Sequence, residues 1–148
     1  MVESRAKRLQ VVLMLAERKE QEAGLQLSQQ RTLIATEEQQ LRELDDYATQ
    51  YMQSYSARKV DVRPHELIAY SGFIQRLGEA SKEQRAKLER MNTLLDKLQQ
   101  RWHVAHHKCE AIKELILRLE RDENLLLDKR LQKELDDLTS QQFSRKEL

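Results

Sequence analysis

The chain has 148 residues, with 26 lysines and arginines intermixed with 25 aspartates and glutamates, 5% aromatic residues, three glycines and one proline. That balance argues against nucleic acid as the main partner, which calls for a basic surplus on one surface, and against a basic membrane-surface helix. So few turn residues exclude an ordinary globule, and the abundance of Ala, Glu, Lys, Leu, Arg and Gln points to long helices or a coiled coil. The mean hydropathy of -0.80 is low, but regularly spaced leucines and a net charge of +1 argue against disorder.

The first apolar run, Val11–Ala16, is too short to span a bilayer. Arg5, Lys7 and Arg8 precede it in the manner of a signal peptide, but Glu17, Arg18, Lys19 and Glu20 end it with no small-residue cleavage site. Residues 1–4 are expected to fray. From Arg5 an apolar stripe runs at alternating spacings of four and three through Leu9, Leu13, Ala16, Glu20, Ala23, Leu27, Gln30, Ile34, Glu37, Leu41, Leu44, Ala48, Tyr51 and Tyr55. This is a coiled-coil seam with three polar interruptions, and it predicts a first helix over about 5–57. Gly24 lies beside the seam and costs about 1 kcal/mol relative to alanine.

A break follows at 58–63. Val60, Asp61 and Val62 are β-branched or turn-forming, and Pro64 disfavours helix at Arg63 while suiting the first turn of a new helix. Asp61 or a nearby backbone group is the expected cap. The second helix is predicted over about 64–141. Its seam runs from Leu67, Tyr70, Ile74 and Leu77 through Ser81, Gln84, Leu88, Met91, Leu95, Leu98, Trp102, Ala105, Cys109, Ile112, Ile116 and Leu119 to Glu123 and Leu126. There the phase changes, and Leu127, Leu131, Leu135 and Leu138 make a new stripe. The second long apolar run, Leu125–Leu127, is again too short for a membrane span.

The loop position allows a test of whether the two helices pair. Folded about Val60-Asp61, seam partners should have residue numbers with a nearly constant sum. Tyr55 then meets Leu67, Tyr51 meets Tyr70, Ala48 meets Ile74, Leu44 meets Leu77, Ile34 meets Leu88, Leu27 meets Leu95, Ala23 meets Leu98, Leu13 meets Cys109 and Leu9 meets Ile112. Each pair sums to about 121 or 122. Glu37 falls opposite Gln84, so a polar break coincides in both helices, and Ala48 and Ala23 set small residues against large ones. The fold class is therefore all-α, a single long two-helix antiparallel coiled-coil hairpin with a longer C-terminal helix. The first helix ends opposite Ile116, which leaves an apolar overhang without a partner in the chain. Such an isolated helix is marginally stable in water.

Little in the chain suggests catalysis. No glycine-rich phosphate loop or nucleophile with a placed base is present, so no enzyme, cofactor or small-molecule substrate is expected. His103 and His107 are one turn apart, as metal ligands can be. The reading set beside it is a solvated histidine face next to a buried cysteine. The single cysteine, Cys109, permits no internal disulfide and suits a reducing cytoplasm. Trp102 falls opposite Glu20, either lying across the seam while Glu20 points outward or serving as a partner anchor. Near the loop, Tyr47 and Phe73 lie off the seam. With Gln40, Leu44, Tyr51, Leu77 and Ala80 they widen the apolar stripe, as a binding surface or as a thicker core around Gly72 and Gly78.

Several stretches carry a family resemblance over essentially the whole length. They are Arg8-Leu9-Gln10-Val11-Val12-Leu13, then Ala16-Glu17-Arg18-Lys19-Glu20, then the Tyr47 and Tyr51 pair, and, most specifically, Pro64-His65-Glu66-Leu67-Ile68-Ala69-Tyr70-Ser71-Gly72-Phe73-Ile74-Gln75-Arg76-Leu77. On these the chain resembles the flagellar export protein FliJ family. The resemblance implies a two-helix stalk like the central stalk of rotary ATP synthases. Its helix ends would enter the ring of the export ATPase FliI and promote hexamer assembly. Its surface nearer the loop would bind the export gate protein FlhA, and it would handle export chaperones.

The implied gate-binding residues are Gln40, Leu44, Tyr47, Tyr51, Phe73, Leu77 and Ala80. A further family position, often histidine, is Gln84 here. The implied ATPase-binding residues are Leu9, Leu13, Leu119, Leu126, Leu127, Leu131 and Leu135. The resemblance also implies an isolated monomer in the cytoplasm, associated peripherally with the inner membrane at the flagellar base. Two other readings are the equivalent stalk of a virulence-type secretion system and a structural coiled coil that self-associates through its overhang.

Overall fold

The computed structural model describes residues 4–58 and 63–146. Two helices make up the fold, α1 (Arg5–Arg58) and α2 (Pro64–Lys146), with no strand among the described residues. Ser4, expected to fray, caps α1: its hydroxyl accepts from the Lys7 amide at 3.2 Å and its carbonyl from the Arg8 amide at 3.1 Å. A serine in this place satisfies one of the orphan donors of the first turn. At the start of α2 the Arg63 carbonyl accepts from the Glu66 and Leu67 amides at 3.0 and 3.1 Å. Pro64 thus occupies the first helical position, where its missing N–H costs nothing. Asp61, the other expected cap, lies outside the described residues. At its far end α2 reaches Lys146, five residues past the expected end at 141. No glycine or proline stops it there, and Arg145 and Lys146 suit the negative end of the helix.

The chain divides into two compact units, Glu22–Trp102 and Met1–Gln21 with His103–Leu148. In the first of these the two helices run antiparallel, and every expected seam position is buried or half-buried. Leu27, Ile34, Leu77, Leu88 and Leu98 form its core, each worth about 1.5–3 kcal/mol of burial. The register is the one the constant sums predict. Tyr51 stacks on Tyr70 with ring centroids 4.6 Å apart, Gln30 Nε2 donates to the Met91 carbonyl at 3.0 Å, and Gln84 Nε2 donates to the Glu37 carboxylate and, at 3.3 Å, to its carbonyl.

In the other unit Ala6, Ala16, Cys109 and Ile116 are buried, and Leu9, Leu13, Ala105, Ile112 and Leu119 are half-buried between the helices. The seam therefore starts one turn earlier than expected, at Ala6. Past Ile116, opposite which α1 is expected to end, Leu119 and Glu123 are still half-buried, and every described residue from Asn124 onward is exposed. Leu126, the last residue of the regular stripe and part of the expected overhang, is 58% exposed, because α1 offers nothing opposite it.

Candidate functional site

Near the start of α2, five aromatic rings from both helices form one cluster. Tyr51 lies at its centre, 4.6 Å from both Tyr70 and Phe73. Tyr47 meets Phe73 edge-on at 6.3 Å and 85°, and Tyr55 lies 5.7 Å from Tyr70. Such edge-to-face and offset contacts add about 0.5–1.5 kcal/mol each beyond area burial. The cluster is not closed over. The Tyr47 side chain is 50% exposed, Gln40 and Ala80 are exposed, and Leu44, Tyr51 and Phe73 are half-buried. Leu77 is buried beneath them and supports the surface more than it presents itself. Tyr55 and Tyr70 were visible in the sequence only as seam residues. Their ring contacts, which brace Tyr51 from the loop side, depend on side-chain direction that spacing alone does not give.

Two carboxylates bind the helices together beside this surface. Asp45 accepts hydrogen bonds from the Ser81 hydroxyl and, at 2.8 Å, from Arg85. These donors, Ser81 foremost, hold its carboxyl below the usual range. Glu37 accepts from Gln84 and, at 3.0 Å, from Lys87, with the same consequence and Gln84 the larger cause. Gln84 is thus occupied in binding Glu37.

The helix ends present a different surface. Arg5, Arg8, Leu9, Leu115 and Leu119 line an open, largely apolar hollow of about 450 Å³. Leu9, Leu13 and Leu119 are half-buried there, whereas Leu126, Leu127, Leu131 and Leu135 are each more than half exposed on α2. Sequence reasoning missed a second apolar face: Val11, Met14 and Leu15 are exposed on the outer side of α1. The signal was present in the run Val11–Ala16, which is apolar on all sides of a helix, a pattern that belongs to a helix covered all round.

Trp102 lies across the seam on Gly24, its Cδ1 and Nε1 3.5 Å from where a Gly24 Cβ would stand. Glu20 turns instead to His106, whose Nδ1 pairs with Glu20 Oε1 at 2.9 Å. His106 foremost, and the Cys109 thiol after it, lower the Glu20 carboxyl. Burial, with Glu20 adding to it, pushes the Cys109 thiol up to about 11. His103 and His107 stack with centroids 6.2 Å apart. Among the described residues no group of three or more His, Cys, Asp or Glu side chains could hold a metal ion, and no helix is long and apolar enough to cross a membrane.

An antiparallel helix pair with exposed aromatic and leucine side chains defines an all-α, two-stranded coiled-coil protein. The chain matches the family described as Flagellar FliJ protein over residues 5–148, and it belongs to that family. Membership makes it a flagellar export-related stalk protein, in a family that is structural and regulatory and not catalytic, associated with the export apparatus. Comparison with curated proteins and with solved structures found no match.

Proposed function

We propose that the chain is the central-stalk coiled coil of the flagellar export ATPase. It binds the FliI ring through its helix ends, promotes assembly of that ring and couples it to the export gate FlhA through the aromatic surface. The observation that carries this reading is the exposed leucine face of α2. It continues after the last buried residue, Ile116, with Leu127, Leu131 and Leu135 all more than half in solvent. A helix with so much apolar surface is stable when something covers it, and in this reading a ring-forming ATPase is the occupant.

The hollow at Arg5, Arg8, Leu9, Leu115 and Leu119 and the exposed Val11, Met14 and Leu15 extend this docking region onto α1. On the aromatic side, Tyr47 and Phe73 are the anchors for the gate, with Gln40, Leu44, Tyr51 and Ala80 around them and Leu77 beneath. Export chaperones are further cargo of the same stalk. It works in the cytoplasm at the inner-membrane face of the flagellar base, and its role in the ATPase cycle is mechanical and regulatory.

The test is capture from the native lysate with the intact chain as bait. A hexameric ATPase should be recovered. Truncation after Ile116 should abolish that recovery and the stimulation of ATP hydrolysis, while Tyr47→Ala with Phe73→Ala should abolish gate binding and leave ATPase binding intact. Recovery of the ATPase by the truncated chain sinks the helix-end assignment. Gate binding by the double variant sinks the aromatic one.

A further inference from the structure

We propose that the exposed end of α2 pairs antiparallel with the same segment of a second copy of this chain. Leu127, Leu131, Leu135 and Leu138 are 51–60% exposed. At 3.6 residues per turn they fall within an arc of about 80°, a single stripe. The helix end that α1 presents in this unit, with Arg5, Arg8 and Leu9, lies beside Leu115 and Leu119. All described residues from Asn124 onward are exposed, so α1 does not cover the stripe.

A second copy is indicated because the pattern is complementary to its own reverse. Turned about a midpoint near Gln132 and Lys133, the segment sets Leu127 against Leu138 and Leu131 against Leu135, leucine on leucine without a slip. Apart from Asp128, the charges divide near the same point: Lys129, Arg130 and Lys133 come first, and Glu134, Asp136 and Asp137 follow. Within one helix this order is the weaker one, since Arg130 before Glu134 and Lys133 before Asp137 place base ahead of acid at i, i+4. Between two antiparallel copies it becomes an advantage. Arg130 and Asp137 flank the stripe on the same side, and a two-fold axis brings each beside the other's counterpart. A parallel pair would instead set Asp137 level with Asp137. Glu134 lies near the axis, within reach of Arg130 of the second copy. That arrangement has a parallel in Glu37, a seam carboxylate bound by Lys87 across the helices.

Four leucines per copy give a contact smaller than the ~1,200 Å² of a stable interface. The pairing is therefore weak and reversible, leaving a monomer at dilution. It holds whether or not the ATPase reading is right. If that reading is right, the second copy and the ATPase compete for the same leucines.

Sedimentation equilibrium on the intact chain, over about a hundredfold range of concentration, tests this. The expected result is a monomer–dimer equilibrium. Leu131→Asp with Leu135→Asp should abolish the dimer at unchanged helix content by circular dichroism. Arg130→Asp or Asp137→Arg alone should weaken it by about tenfold, and the two together should restore it to within about threefold, as a swapped charge pair does. The proposal is overturned by a monomer throughout the range, by a dimer indifferent to the leucine substitutions, or by a double charge swap no tighter than its single variants.

Discussion

Gln30 reaches across the seam and donates its side-chain Nε2 to the backbone carbonyl of Met91 at 3.0 Å. It is a buried polar residue in a layer between Leu27 and Ile34. The Met91 carbonyl belongs to the interior of α2, so the amide four residues on already serves it. Gln30→Leu therefore removes a polar group without orphaning its acceptor, and such exchanges are neutral or favourable. The expected result is a stabilisation of about 1 kcal/mol in urea unfolding. A loss of stability would mean that the Met91 carbonyl depends on Gln30. With the expected gain, the glutamine contributes register more than stability, as single polar seam residues do.

Gly24 tests the Trp102 contact. A methyl group at this position would meet the indole at 3.5 Å, an ordinary van der Waals distance. Gly24→Ala should therefore gain the helix propensity of alanine, about 1 kcal/mol, with the indole unmoved. A lower urea midpoint, together with a shift in tryptophan fluorescence, would show that the ring has no room to accept the methyl.

Stability should also fall on acidification. The carboxyls of Glu20, Glu37 and Asp45 are all held below their usual range in the folded chain. A group with a depressed folded pKa contributes stability above its unfolded pKa, and that contribution is lost as pH falls through the folded value. The urea midpoint should thus be flat near neutrality and drop below the ordinary carboxylate range. Glu37→Gln should shallow that drop, because it removes one of the three. An unchanged pH profile in the variant would show that the bonds to Gln84 and Lys87 are too solvated to matter.

The buried Cys109 predicts a kinetic signature. Its side chain is 0% exposed, and its thiol is pushed up to about 11 from an ordinary value of 9.0. Only the thiolate reacts, so its share at neutral pH falls about a hundredfold. Reaction with a disulfide reagent should be at least that much slower in the folded chain than in urea. Native-state labelling at the unfolded rate would place Cys109 outside the core.

Much of this fold could be read from spacing. Apolar residues four and three apart chose the seam, and the matched polar pair at Glu37 and Gln84 chose its register. What remained unread depends on the direction of side chains. Each Cβ leans toward the N-terminus of its helix. In an antiparallel pair the flanking side chains therefore meet partners further along than seam geometry implies. Asp45 finds Arg85 and Glu37 finds Lys87 in one unit, and Glu20 finds His106 in the other, all with residue numbers summing higher than the seam pairs. The Ser4 cap was missed because it lies before the first periodic residue. The exposure of Leu126 was legible although its own phase fits the seam, because α1 ends opposite Ile116 and leaves it no partner.

The last prediction concerns the helix beyond that point. Residues from Asn124 to Lys146 are exposed throughout, so deleting everything after Glu123 removes no buried packing. Surface changes away from buried contacts usually stay within about 0.5 kcal/mol, and the urea midpoint should stay within that margin. In the intact chain at low concentration the same segment should exchange its amide hydrogens far faster than the residues around Cys109. Its helix is held only by local bonds, and isolated helices fray readily. Slow exchange there in dilute solution would reveal a contact within the chain that burial does not show. Slow exchange that appears only as concentration rises would come from the second copy, with protection centred on Leu131 and Leu135.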